Sequence, residues 1–211
     1  MARNKGLRLS PRSPMALQVR VATTPAELEA IYRFRYDVYV REMGKPLSTA
    51  DHANGRLTDA NDEGAIQYFV AEEQQVLGAM RLHAGNVPAA VVERLDAARF
   101  GLPVDKLGFV SKAMVSRDRR GSLSFLAMAK TAYETAAAKG VELGLIHCRR
   151  DLVPLYERIG YRAYGPAWVD VEVGPQAAMV LNMVGRRELL AHGADVGKNP
   201  SLAAASRGEA S

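Results

Sequence analysis

The sequence predicts an α/β domain, a mixed sheet with helices on both faces. Three observations lead there. An apolar, β-capable run, Leu107–Val115, ends in a short cationic loop, Ser116–Ser122, which opens a long alanine-rich segment of high helix propensity from Leu123. Two apolar runs, Ala65–Ala71 and Val76–Leu82, flank the polar Glu72–Gln75 and read as a hairpin. A further strand-like run, Val141–Cys148, precedes a segment that Asp151 can cap and Gly160 can close. The order is therefore strand, helix, hairpin, strand, helix, strand, helix, strand.

Met1–Ala16 carries Arg3, Lys5, Arg8 and Arg12 among Pro, Ser and Gly without apolar periodicity, and reads as a flexible basic arm. Leu17–Ala22 alternates like a half-buried strand. Thr24-Pro25-Ala26-Glu27 is a capping box with proline at the first helical position. The helix it starts sets Leu28, Ile31, Tyr32 and Arg35 on one side and continues through Tyr36, Val38 and Tyr39. Met43–Gly64, with Asp59 and Asp62, is too long for an ordinary connector, so it either covers a substrate or is a mobile excursion. Val91–Phe100 suits a short helix, and Gly140 closes the long one. Tyr161–Tyr164, Val169–Val173 and Ala177–Val184 are strand-like, with Gly174-Pro175 as the turn between the last two. A short helix is expected from Gly185 and disorder over Lys198–Ser211. This gives one domain over residues 17–190 between a basic arm, 1–16, and a flexible tail, 191–211.

A chain of 211 residues suits one such domain. No apolar run is long enough to span a membrane and no secretory leader is visible, so no integral membrane segment is expected. The single cysteine, Cys148, excludes an internal disulfide framework and cysteine-cluster metal sites, and favours a reducing cytoplasm. The four histidines show no metal-ligand spacing, so no metal is expected. The net charge of +5 suits an acidic partner or serves solubility. No basic stripe interleaved with aromatics points to nucleic acid.

Chemistry concentrates at the cationic loop. Backbone N–H groups entering a helix lack partners and lie at the positive end of the helix dipole, where a phosphate is stabilised. Arg117, Arg119 and Arg120 add charge, although a solvated basic corner has the same composition. His147-Cys148 is not a ready nucleophile and base, because neighbours on a strand point to opposite faces.

Two segments, Asp118-Arg119-Arg120-Gly121-Ser122-Leu123 and Leu155-Tyr156-Glu157-Arg158-Ile159-Gly160-Tyr161, resemble the acyl-carrier motifs of the GNAT acyltransferase superfamily. The first matches the pattern Gln/Arg-x-x-Gly-x-Gly/Ala at Gly121 and departs from it at Asp118 and Leu123. The second matches Leu-Tyr-Glu-x-x-Gly-Phe closely. Within the superfamily the chain resembles long-chain N-acyl amino acid synthases and, more distantly, acyl-homoserine-lactone autoinducer synthases. The residues that carry this are Arg35-Tyr36-x-Val38-Tyr39-x-x-Glu42-x-Gly44, Asp59-x-x-Asp62, Tyr68–Ala71, Gly78-x-x-Arg81-Leu82 and Ser111-Lys112. Autoinducer synthases place Glu-x-Asp-x-x-Asp where this chain has Leu57–Asp62, and Glu-x-Ser-Arg where it has Phe109–Lys112. Two carboxylates suited to a cationic sulfonium substrate are missing, which favours the amino acid synthases.

The resemblance implies a three-layer α/β/α fold whose mostly antiparallel central sheet splays at its middle strands. It implies an N-acyltransferase that moves a fatty acyl group from acyl carrier protein to the α-amine of an amino acid, with no permanently bound cofactor. An acyl-coenzyme A-dependent GNAT enzyme and an autoinducer-type synthase are alternatives. A non-catalytic GNAT-like module for an acidic partner is another, supported by Asp118 and Leu123. The acyl-phosphopantetheine arm would pair with Ala113, Met114 and Val115, and the amides of Arg119, Arg120, Gly121, Ser122 and Leu123 would hold its phosphate. Tyr156 would protonate the departing thiolate, and Arg81, Arg35, Tyr39 and Ser111 would bind the acceptor. No base stands out among Glu42, Asp59, Asp62 and His83.

Overall fold

The computed structural model describes residues 18–121 and 123–184. The basic arm, Leu17, Ser122, the helix expected from Gly185 and the tail lie outside the described residues. Strand β1 is Val19–Val21, and helix α1, Pro25–Tyr36, follows it. The capping box forms: the Glu27 N–H donates to Thr24 Oγ1 at 3.2 Å while Glu27 Oε2 accepts from the Thr24 N–H at 3.2 Å. Asp37–Glu42 continues α1 as a π-helical turn, which keeps Val38 in the core. The expected long excursion is ordered. It forms the hairpin β2, Ala50–Asp51, and β3, Arg56–Leu57, then a tight turn over Ala60–Asp62.

Strands β4, Ile66–Glu72, and β5, Gln75–Ala84, form the expected hairpin, with Glu72 opposite Gln75 and the two-residue turn at Glu73-Gln74. After helix α2, Ala89–Arg94, come strand β6, Leu107–Val115, helix α3, Ser124–Ala138, and strand β7, Leu143–Arg149. Helix α4, Val153–Arg158, precedes β8, Arg162–Ala163, β9, Trp168–Asp170, and β10, Gly174–Asn182.

Two local expectations are corrected. Asp151 does not cap α4; its carboxylate takes Arg149 instead, with Nε 3.0 Å from Oδ1. The turn between β9 and β10 is Val171–Val173 rather than Gly174-Pro175. Asp170 Oδ1 accepts from the N–H groups of Glu172 and Val173, so the chain reverses there, and Gly174 and Pro175 already pair with β9.

The main sheet runs β1-β4-β5-β6-β7-β10-β8, with β9 also on β10. All pairings are antiparallel except β6 with β7. One face carries α3 and α4 over Met80, Leu82, Ile146 and Met179. The other carries α1 over Phe69, Ala79 and Met114, and α2 over Phe109 and Leu145. Helix α3 lies close because it buries Ser124, Met128, Ala132 and Ala136, one turn apart, and Tyr68 hydrogen-bonds Thr135 at 2.7 Å. Among the described residues no helix is long and apolar enough to cross a membrane.

Gly78 lies where β5 passes under α3. A Cβ there would sit 3.0 Å from Met128 Cε and from Val70 Cγ2, and 3.2 Å from the Met114 carbonyl oxygen. Gly78→Ala should therefore lower stability by about 1–3 kcal/mol, as overpacking does, in urea unfolding followed by circular dichroism.

Candidate active site

The two central strands part. β6 and β7 pair only over Leu107–Phe109 against Leu143–Leu145. Beyond that, β6 pairs with β5 and β7 with β10, leaving a wedge-shaped cleft between Val110–Val115 and Ile146–Arg149. An unpaired strand edge offers backbone donors and acceptors to any extended ligand. At the vertex the Phe109 ring stacks between His83, at 6.3 Å, and His147, at 5.8 Å, and His147 meets Trp168 at 6.2 Å. Burial pushes both histidines below their ordinary pKa, so they pack as neutral rings.

On the α3–α4 side, Ala113 and Val115 share an apolar cluster with Tyr156. The Tyr156 ring is held edge-on by Phe125 and by Tyr161, each at 5.8 Å. It is 8% exposed, and burial raises its phenol well above the ordinary value, reinforced by Cys148 and Tyr161. Met114 faces the other way, into the core beneath α1. Cys148 is buried against Met179, opposite in direction to His147, and burial raises its thiol to about 11. A thiol so held is unreactive.

On the α1 side lies a buried charge cluster. Asp62 Oδ1 accepts from Arg35 Nη1 at 2.7 Å, Arg81 Nη1 at 2.9 Å and Gln67 Nε2 at 3.0 Å. Arg35 Nη2 also donates to Gln67 Oε1 at 2.6 Å, and Arg81 Nε to Ser111 Oγ at 2.9 Å. Asp59 Oδ1 takes Arg81 Nη1 at 2.5 Å, while its Oδ2 lies 3.1 Å from Lys112 Nζ. Burial alone would raise both carboxyls. Lys112 and Arg81 outweigh it and hold Asp59 at about 2, and Arg35 leads the groups that lower Asp62.

The cationic loop is itself engaged. Arg119 Nη2 meets Glu72 Oε2 at 2.5 Å and Arg120 pairs with Glu42 from the π-helical turn. The N–H groups of Arg119 and Arg120 donate inside the turn, to Ser116 and Arg117. Those two amides are thus occupied, and the guanidinium groups of these residues would meet a phosphate only by leaving Glu72 and Glu42. Gly121, at φ +83°, leaves space around it, and Leu123 at the start of α3 provides no side-chain cap.

The family model of the N-acyl amino acid synthase FeeM matches residues 30–183. The chain belongs to this family, and as a member it is an N-acyltransferase. No curated protein sequence gives a significant match. Among solved structures, FeeM from uncultured soil microbes is 14% identical, with a TM-score of 0.64 over 84% of this chain and 98% of that one. The acyl-homoserine-lactone synthase LasI is also 14% identical, with a TM-score of 0.66 over 87% and 100%. BjaI, a CoA-dependent acyl-homoserine lactone synthase solved with SAM and isopentyl-CoA, is 23% identical, with a TM-score of 0.63 over 84% and 90%. These likenesses show the GNAT-like fold, including its mostly antiparallel sheet.

Membership sharpens the reading of individual side chains. Arg35 and Arg81, expected to meet the acceptor, lie beneath the cleft at 0% and 2% exposure, with their guanidinium groups occupied by Asp62, Gln67, Asp59 and Ser111. Buried charges need such partners, so these arginines support the site rather than face it. Ser111 is taken by Arg81 in the same way. Tyr39 lies against Lys112, whose Nζ is 5.1 Å from the centre of its ring. Of the possible bases, Asp59 and Asp62 are weakened by their cations, Glu42 holds Arg120 and His83 is 1% exposed. Sequence reasoning missed Lys112 and the aromatic stack. Only the Ser111-Lys112 pairing in the motif hinted at the first.

Asp62→Asn should destabilise the fold by about 3–5 kcal/mol in urea titrations, because it leaves two buried guanidinium groups short of charge. Acid adds a second test. Asp59 remains ionised to about pH 2 when folded but takes its proton near 3.8 when unfolded. The stability this supplies is complete above the unfolded value and fades as pH falls toward the folded one. Asp59→Asn should flatten the stability profile in that window.

Proposed function

We propose that the protein moves a fatty acyl group from the phosphopantetheine thioester of acyl carrier protein to the α-amine of an amino acid. The observation that carries this reading is the cleft between β6 and β7, whose open strand edge lies beside Tyr156 at one end of the uncapped helix α3. An extended pantetheine arm suits that edge, pairing with the backbone of Ala113–Val115. Its phosphate falls to the start of α3, where Gly121 leaves room, Leu123 makes no side-chain cap and the helix dipole is positive. Ser122, in the same turn, lies outside the described residues.

The amine attacks the thioester carbonyl, the C–S bond breaks, and the nitrogen's proton is lost as the thiolate gains one. Holding both reactants in place supplies much of the rate. Tyr156 stays protonated at neutral pH because burial raises its phenol. It therefore donates a hydrogen bond to the developing thiolate, and any proton it yields to the sulfur is restored by the one that the attacking nitrogen loses. Tyr156→Phe should fold normally, since the ring packing is kept, and lose ~10²–10⁴-fold in single-turnover acyl transfer. A loss under tenfold would remove Tyr156 from this role.

The carrier protein is favoured over coenzyme A by charge. Asp118 is exposed beside Arg119, where the added phosphates of coenzyme A would meet a carboxylate. Arg117, Arg119 and Arg120 suit the acidic surface of a carrier protein, exchanging Glu72 and Glu42 for it. Rates with acyl carrier protein should fall as salt rises, because such attraction is screened over about 8 Å at physiological ionic strength. Charge reversal at Arg119 and Arg120 should raise KM for the carrier more than for the amine. Equal use of matched acyl-coenzyme A, with neither effect on the carrier reaction, would assign the donor to coenzyme A.

A further inference from the structure

The geometry points to Lys112 as the residue that holds the acceptor's carboxylate, so that the site selects an α-amino acid over a neutral amine. This rests on the N-acyl amino acid synthase reading and names the side chain that sets its acceptor class.

The first observation is orientation. Opposite one intervening residue on β5, between Ala79 and Arg81, β6 has two, Lys112 and Ala113, between Ser111 and Met114. The extra residue makes a β-bulge, and Lys112 sits in it at φ +50°, a left-handed conformation that a lysine adopts only where its surroundings enforce it. Val110 and Ala113 both pack toward α3 and α4. Between them, Ser111 and Lys112 both turn to the α1 side, where Ser111 meets Arg81 and Lys112 meets Asp59. Regular alternation would have sent Lys112 to the opposite face.

The second observation is charge balance. The cluster holds three cations, Arg35, Arg81 and Lys112, against two carboxylates, Asp59 and Asp62. Neighbouring carboxylates are engaged elsewhere: Glu42 with Arg120, Asp151 with Arg149, and Glu172, which feels Lys112 without an ion pair to it, with the Ser48 N–H. One positive charge remains, and partly buried charges are stable when paired. Of the three cations, Lys112 is the one at the cleft, with its side chain 18% exposed against 0% and 2% for the arginines. Among the described residues its ammonium makes one ion pair, to Asp59, and its three N–H bonds leave room for a second anion. The Tyr39 ring closes the far side.

The third observation is position. Lys112 immediately precedes Ala113, on the strand edge assigned above to the thioester arm. In an α-amino acid one carbon joins the carboxylate to the amine. A carboxylate held at Lys112 therefore presents the amine to the neighbouring edge, whereas a cationic group without a carboxylate meets an excess of positive charge. Lys112 is thus a specificity-determining residue that touches substrate.

The test compares an amino acid with its primary amide as acceptors for the same acyl thioester, using wild type, Lys112→Met and Lys112→Arg. Lys112→Met leaves two arginines facing two aspartates, so the cluster becomes neutral and a folded variant is expected, checked by circular dichroism. Wild type should favour the acid over the amide by on the order of tenfold to a hundredfold in kcat/KM, the worth of one charge-assisted hydrogen bond. The difference should lie mainly in KM. Lys112→Met should erase it, and Lys112→Arg should restore much of it. Should Lys112→Met fail to fold, Lys112→Gln takes its place in the same comparison, and an acid preference that survives in it decides against the proposal. Equal use by wild type, or an acid preference that survives Lys112→Met, overturns the assignment while leaving acyl transfer to amines intact. If neither acceptor is acylated, the synthase reading falls and this inference falls with it.

Discussion

One carboxylate oxygen, Asp62 Oδ1, joins the parts of this protein that would otherwise have no reason to meet. It accepts hydrogen bonds from Arg35 on α1, Arg81 on β5 and Gln67 on β4. A buried guanidinium is tolerated when its charge is matched and most of its N–H groups are bonded, as here apart from Arg35 Nε, so neither arginine can leave without stranding the other partners. The cluster therefore locks the passage that carries Asp59 and Asp62 onto the sheet. Asp59 then extends the same chain of charges to Lys112, at the edge of the cleft.

The passage after α1 is held at its other end as well. The Ser48 N–H donates to Glu172 Oε1 at 2.8 Å and Lys45 Nζ to the Val173 carbonyl at 3.2 Å. Since α1 packs over β5 and Val173 belongs to the β9–β10 turn, residues 43–48 cross the α1 side of the gap between β6 and β7. Tyr36, Leu47 and Leu57 form a small apolar cluster under this crossing. The segment read from composition as a substrate-covering loop or a mobile excursion is thus tied to the domain at both ends, by charges at one and a turn at the other.

The cleft itself follows from competition between pairings. β6 is fully used by β5 on one side, and β7 by β10, while the β6–β7 pairing ends at Phe109 and Leu145. The stacked rings of His83, Phe109 and His147 fill the vertex, so the opening has a solid base instead of closing by further zippering. The bulge at Lys112 bends β6 just beyond this point, as an extra residue in a strand does. Strand parting, strain and a displaced cation occur together within a few residues.

What the sequence determined was local. The capping box of Thr24 and Glu27, the Glu72–Gln75 reversal and the apolar runs of β4, β5, β6 and β7 are short-range signals, set by backbone hydrogen bonding and side-chain period. Their neighbours along the chain suffice to express them. The motif at Tyr156 and the pair Asp59 and Asp62 were likewise visible as residue types at fixed spacing. Tertiary structure decided what those residues face. Arg35 and Arg81 became internal supports because partners from three elements surround them, and the Asp151 carboxylate pairs with Arg149 instead of capping α4. The β9–β10 turn moved to Val171–Val173 because Asp170 captured two backbone N–H groups. Lys112 owes its direction to one extra residue opposite β5, a register shift that depends on how two distant strands align. No pattern within β6 records that alignment, because it is a property of the pair.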